Sequence, residues 1–265
     1  MEINHILEKK LCELTRDDAS QIVHSLRERF RIEHMKNDRS AIYAKTQTMM
    51  AYNSNKIEGS TLTPEQTASL FDTGVIYNNG ETMYISKDIE EMNGHFLMFN
   101  EMLKTLDEPL SEKIIKSFHY QLKAGVFEDR ANGYAIGDYK RRPNIIGASM
   151  ETVHPRQVAS EMQQLLDAYH AESEHNLESL ARFHAHYEKI HPFQDGNGRT
   201  GRMILLRECM VSGIIPVIIR DVTKLEYYRA LRIAQDTRNY LSLVEYFKNE
   251  QFFYYGILQD FLFEW

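Results

Sequence analysis

Between residues 191 and 202 the chain reads HPFQDGNGRTGR, and nearly every residue there is of a type that handles protons or phosphate. Gly196 and Gly198 flank Asn197 where a helical pattern begins. Several backbone N–H groups would therefore point outward with no intrahelical partner. Such a nest, reinforced by the helix dipole, receives anions, and the missing Cβ atoms let phosphate oxygens approach the backbone. Arg199 and Arg202 are three residues apart, hence expected as neighbours on the surface of the first turn, where they can reach terminal phosphates bidentately. Asp195 sets a hard oxygen ligand where Mg²⁺ would bridge those phosphates. His191, a side chain that titrates near neutrality, is suited to accept a proton from an incoming hydroxyl. Taken singly, each has an ordinary explanation: a Gly-Asn-Gly turn, solvated arginines, a histidine ending a helix. Together they point to phosphate-ester transfer.

The same run resembles the signature of the Fic family, HPFx(D/E)GNGRxxR, through His191, Pro192, Phe193, Asp195, Gly196, Asn197, Gly198, Arg199 and Arg202. The resemblance extends over residues 110–250. It implies a mainly α fold, a Fic-type helical bundle with a short β-hairpin flap. It also implies transfer of AMP from Mg-ATP to a Ser, Thr or Tyr hydroxyl of a protein, the chain itself among the candidates. On that reading His191 is the general base and Asp195 holds Mg²⁺ on the α- and β-phosphates. Asn197 with the Gly196 and Gly198 amides holds the α-phosphoryl oxygens, and Arg199 and Arg202 take the β- and γ-phosphates. Phe193 is a core anchor. The flap, which in the family clamps the target by strand addition, falls on GDYKRRPNIIGASMETVHP, with Asn144, Ile145, Ile146 and Gly147 at its centre. Tyr227 and Tyr228 stand where relatives enclose adenine, with core packing as the equal alternative, and Gln235 stands where relatives often have Asn.

A second run, Ser54-Asn55-Lys56-Ile57-Glu58-Gly59, resembles the family's inhibitory motif (S/T)xxxE(G/N). The resemblance implies that Glu58 pairs with Arg202 and competes with the γ-phosphate, leaving the α-phosphate misaligned. Gly59 would stop the short helix that carries Glu58. Two rivals keep these residues: removal of AMP from a modified protein or transfer from another phosphate donor, and a catalytically silent ATP-binding module. The presence of both His191 and Asp195 argues against the last.

The elements that must position these groups read as helices. Thirteen glycines and six prolines in 265 residues leave few breakers. Helices are expected over about 17–51, with Ile22, Leu26, Phe30 and Ile32 as its apolar stripe; from Thr63-Pro64, with Gln66 closing a capping box; over 87–106; and from Ser111. Residues 125–154 read as loops around a hairpin. Helices follow over 155–170 and 177–190, the latter ended by His191-Pro192, then from Arg199 to Gly213, and through the aromatic stretch 224–265. The expected organisation is an N-terminal helical region, 1–109, containing the motif at 54–59; a core domain, 110–250; and a C-terminal helical extension, 251–265. The rings of that last stretch serve mainly the core, with a homo-oligomer contact as a secondary reading.

Composition removes several classes. With 43% hydrophobic residues the chain is not disordered, and with 38 acidic against 31 basic residues it does not bind nucleic acid through bulk charge. Cys12 and Cys209 are far apart, with no spacing for a zinc site or a disulfide framework, which favours a reduced, cytoplasmic setting. The first residues hold no apolar segment of a secretory signal. The longest apolar run, Ile214 to Ile219, is far short of the ~20 residues that cross a bilayer, so no membrane role is expected. His184 and His186, two apart on one helix, face different ways and do not form a metal site with His191.

Overall fold

A computed structural model describes residues 3–76, 84–146 and 150–262, the backbone alone at 145, 146, 150 and 151, and the described chain is built almost wholly of helices. In order these are α1 (Asn4–Leu7), α2 (Arg16–Met35), α3 (Ile42–Ile57), α4 (Pro64–Thr73), α5 (Ser86–Lys104), α6 (Glu112–Lys123) and α7 (Phe127–Ala131). After a two-stranded ladder come α8 (Pro155–His170), α9 (Leu177–Ile190), α10 (Asn197–Val211), α11 (Lys224–Thr237) and α12 (Leu241–Leu262). In the ladder, β1 (Ile145–Ile146) runs antiparallel to β2 (Met150–Glu151), with Ile145 opposite Glu151. The centre of the expected flap thus includes β1; Gly147 lies outside the described residues.

Local chemistry starts the helices where the sequence places the caps. Thr63 accepts from the Gln66 N–H while Gln66 Oε1 accepts from the Thr63 N–H, and Ser111 caps α6 through the Ile114 N–H. The long helix expected over 17–51 is instead two. Asn37 takes a left-handed φ of 52°, and the Glu33 carboxylate accepts the Tyr43 N–H at 2.8 Å, so the chain turns and α3 begins afresh. Ile22, Leu26 and Phe30 are fully buried, but Ile32 is 40% exposed, because two residues beyond Phe30 lies off the stripe. Glu33 takes the inward place. The aromatic C-terminal stretch is likewise two helices, broken at Arg238 (φ 57°).

Packing centres on α10, which is buried along most of its length against α3, α5, α6 and α9. Helices α5 and α6 approach so closely at Gly94 that a Cβ there would run into the Leu122 carbonyl. α12 covers α9 and α11 and reaches α3, where Tyr254 and Thr46 share a hydrogen bond of 2.8 Å. Tyr246, Phe247, Tyr254 and Tyr255 are core, whereas Phe252 and Phe253 are exposed; Phe263 and Trp265 lie outside the described residues. The apolar core runs unbroken from α1 to α12.

Candidate active site

The loop from His191 to Gly196 joins α9 to α10, and its shape is fixed from within. The two ends of the Asn197 amide bracket Phe193: the Phe193 N–H donates to Oδ1 at 2.7 Å, and Nδ2 donates to the Phe193 carbonyl at 2.8 Å. Gly196 adopts φ 79° and donates its N–H to Asp195 Oδ1 at 2.7 Å. Here the Asn197 side chain and the Gly196 amide shape the loop, and the N–H groups that follow on the first turn of α10 are those that a helix start leaves without an intrahelical partner. Phe193 is fully buried as expected, stacked on His119 with ring centroids 3.9 Å apart.

Both arginines are buried rather than laid on a helix surface, because α3 and α5 cover the start of α10. Arg202 donates through Nε to Ser54 Oγ and through Nη2 to the Ser54 carbonyl, each at 2.9 Å. Nη2 also donates to Glu58 Oε1 at 2.7 Å. Glu58 is the C-cap of α3, and Gly59 beyond it takes φ 98°, which ends a helix of 16 residues rather than a short one. The Glu58 carboxylate passes over Gly198, where a Cβ would collide with it and with the Arg202 guanidinium. Burial opposes ionisation of Glu58, yet Arg202 and Arg199 hold its pKa below the ordinary value. Arg199 pairs with Glu91 at 2.5 Å, donates to Asn55 Oδ1 at 3.3 Å, and lies 3.4 Å from Asp195. Against the burial that would raise it, Arg199 and Lys123 keep the Asp195 carboxyl far below the usual carboxylate range. Its side chain is 37% exposed, an ionised oxygen ligand open to one side, which fits a hard cation such as Mg²⁺.

His191 occupies the left-handed region at φ 53°, the conformation that turns the chain out of α9 ahead of Pro192. Its Nδ1–H donates to the Glu188 carbonyl at 3.3 Å, which leaves Nε2 unprotonated. Burial, with the nearby Lys140 ammonium adding to it, pushes its pKa down to about 4 although the Glu188 carbonyl opposes the shift. The ring is therefore neutral, in the tautomer a proton acceptor needs.

The outer parts of the expected site are only partly assembled. Tyr227 is buried, hydrogen-bonded to His184 Nε2 at 2.8 Å and packed on Tyr246, so it is a core residue. Tyr228 is 44% exposed. The Gln235 side chain donates to the Ala185 carbonyl at 3.2 Å and borders a cavity of about 390 Å³ with Lys189, Ile190 and Arg238. The Asn144 side chain is engaged within the chain. It donates to the Phe193 carbonyl at 3.0 Å and accepts from Lys140 Nζ and Thr152 Oγ1, tying the base of the ladder to the loop. His186 pairs with Tyr240 and His184 with Tyr227, so these histidines do diverge.

Several positioning residues are absent from the sequence reading. Asn55 fixes Arg199, Glu91 pairs with it, and Lys123 joins Glu91 to Asp195. His119 accepts the Gly137 N–H at Nδ1 and so donates from Nε2 to the Asp195 carbonyl at 3.1 Å. The available signal was a polar residue on an apolar helix face: Glu91 lies beside Met92 on α5, and His119 and Lys123, four apart, continue the buried face of Ile115 and Leu122 on α6.

Residues 109–209 match the Fic/DOC family. The chain is 28% identical over 219 residues to the protein adenylyltransferase fic-1 of Caenorhabditis elegans, covering 80% of this chain and 41% of that one. It is 29% identical over 243 residues to the protein adenylyltransferase Fic of Drosophila sechellia, covering 83% and 46%. The chain thus spans less than half the length of these relatives. Its fold is shared with the crystal structure of a Fic domain containing signaling protein from Bacteroides thetaiotaomicron, with a TM-score of 0.73 at 23% identity over 91% of this chain and 95% of that one.

Proposed function

We propose, for a chain that carries a Fic/DOC-family domain over residues 109–209, that it is a protein adenylyltransferase held in check by its own Glu58. The donor is Mg-ATP and the acceptor a Ser, Thr or Tyr hydroxyl of a protein, the chain itself included. One observation carries the reading: an arginine on the second turn of a helix that begins between two glycines is neutralised at 2.7 Å by a carboxylate from a different element. A group held where a phosphate oxygen would sit is a competitor for that phosphate.

The geometry supports the following roles. The hydroxyl oxygen attacks the α-phosphorus as its proton passes to His191 Nε2; the bond from the α-phosphorus to the bridging oxygen breaks, and pyrophosphate leaves. Amides on the first turn of α10 face the charge that develops on the α-phosphoryl oxygens. Arg202, released from Glu58, takes the terminal phosphates. Asp195 would hold Mg²⁺, which when bound neutralises phosphate charge. With Glu58 in place the α-phosphate sits out of line, and a misplacement of about 1 Å costs on the order of 10²-fold in rate. The open edges of the β1–β2 ladder suit a target segment added as a strand.

ATP labelled at the α- or the γ-phosphate tests the reaction. A Glu58→Gly protein should hand α-label to protein in an acid-stable form and release γ-label with pyrophosphate. Retention of γ-label on protein would make the chain a phosphotransferase and overturn the reading.

A further inference from the structure

We infer that Lys123 is a built-in cation that closes the acidic cluster beside the loop to free divalent metal, leaving Asp195 to a metal that arrives with nucleotide. The second half of this statement rests on the assignment of Asp195 above; the first does not.

Lys123 is the last residue of α6, and its side chain is 1% exposed. Its ammonium lies 2.5 Å from Glu91 on α5, 2.6 Å from Asp129 on α7 and 2.7 Å from Asp195 in the loop. An ammonium has three N–H donors, and three carboxylates from three separate elements surround this one. One oxygen from each carboxylate lies within 4.8 Å of the others, a spacing at which a single cation could ligate all three. That position is filled by the covalently tethered Lys123 ammonium. Arg199 takes the other oxygen of Glu91, so two cations stand within ion-pair distance of the three carboxylates. Of the three acids only Asp195 has a substantially exposed side chain. Mg²⁺ sheds water reluctantly and is held by one or two carboxylates together with substrate phosphates. The cluster as built offers one open carboxylate, which is too little for the free ion and enough for an ion already carried by a triphosphate.

Removing the ammonium should therefore create a metal site. Lys123→Met and Lys123→Gln each leave the three carboxylates without their central cation. Titration with Mn²⁺ alone, read by electron paramagnetic resonance, should show one equivalent bound at least about tenfold more tightly than by the unaltered chain. Mn²⁺ should also raise the melting temperature of the variants and not that of the unaltered chain. Adding Asp129→Asn to Lys123→Met should remove the gain. The inference is overturned if folded variants bind Mn²⁺ no better than the unaltered chain. It is also overturned if the unaltered chain binds an equivalent without nucleotide, an arm that stands whether or not a variant folds. Mn²⁺ with a non-hydrolysable ATP analogue on the Glu58→Gly protein tests the other assignment separately. Failure to bind the pair there would remove Asp195 as the metal ligand while leaving the exclusion of free metal by Lys123 intact.

Discussion

At the scale of single residues, the proposed chemistry rests on His191 being neutral where most exposed histidines begin to take up protons. Burial lowers its pKa from 6.5 to about 4, so the proton-accepting form persists well into acid. Transfer by the Glu58→Gly protein, followed as kcat/KM against pH, should hold level through pH 6.5 and decline only near pH 4. An acid limb centred at 6.5 would contradict the assignment. The same shift bears on stability. The unfolded chain protonates His191 below about 6.5, while the folded chain resists protonation until about 4, so this residue makes the fold less stable as pH falls through that window. His191→Ala, which has no such proton to exclude, should lose less stability over that range in urea titrations, and its transfer rate should drop by about 10²- to 10⁴-fold. The residues proposed to act directly were legible because they lie within twelve positions of one another or match a short motif. Glu91 and Lys123 were not, since they stand 104 and 72 residues from Asp195 in sequence and meet it only in the fold.

At the scale of elements, caps and apolar spacing located most helices, because those signals are local. The break between α2 and α3 was missed because it depends on Glu33 reaching ten residues ahead to the Tyr43 N–H, a contact that no periodicity encodes. The close crossing of α5 and α6 was missed for a similar reason: a glycine inside a helical pattern signals a close approach without saying to what. That crossing carries weight, since α6 supplies His119 and Lys123 and α5 supplies Glu91. Gly94→Ala should lower stability by about 3 kcal/mol, because the new methyl meets fixed backbone rather than a side chain that can swing away. A shift in the urea midpoint worth less than about 1 kcal/mol would show that the helices can part at no cost to the fold. Gly201→Ala should also destabilise, because its methyl would meet the buried Glu188 carboxylate and the Tyr187 ring.

Over the whole molecule, the segment that carries Glu58, proposed above as inhibitory, is part of the core and not an arm laid over a finished domain. Ser54 and Asn55 are buried against the arginines of α10, Thr46 bonds Tyr254, and the Asn53 side chain accepts the Asp221 N–H at 2.9 Å. Arg207 on α10 likewise donates to the carbonyls of Thr105 and Glu108. Residues 109–209 made alone should therefore lack a cooperative thermal transition, and residues 64–262 should melt well below the full chain. A cooperative unit over 109–209 would show that the preceding helices are dispensable to the fold. Among the described residues no helix is long and apolar enough to cross a membrane. On the proposed reading, release of Glu58 is a local change at the end of α3, because the rest of that helix is packed in the core.

The most direct test of the account is the intact mass of three purified proteins, unaltered, Glu58→Gly and Glu58→Gly/His191→Ala, after incubation with Mg²⁺ and ATP and a panel of hydroxyl-bearing protein acceptors. AMP-sized additions should form about 10²-fold faster with Glu58→Gly and slow by at least about 10²-fold when His191→Ala is added. Equal additions on the unaltered and Glu58→Gly proteins would contradict the inhibitory pairing, and additions that His191→Ala leaves undiminished would contradict the chemistry.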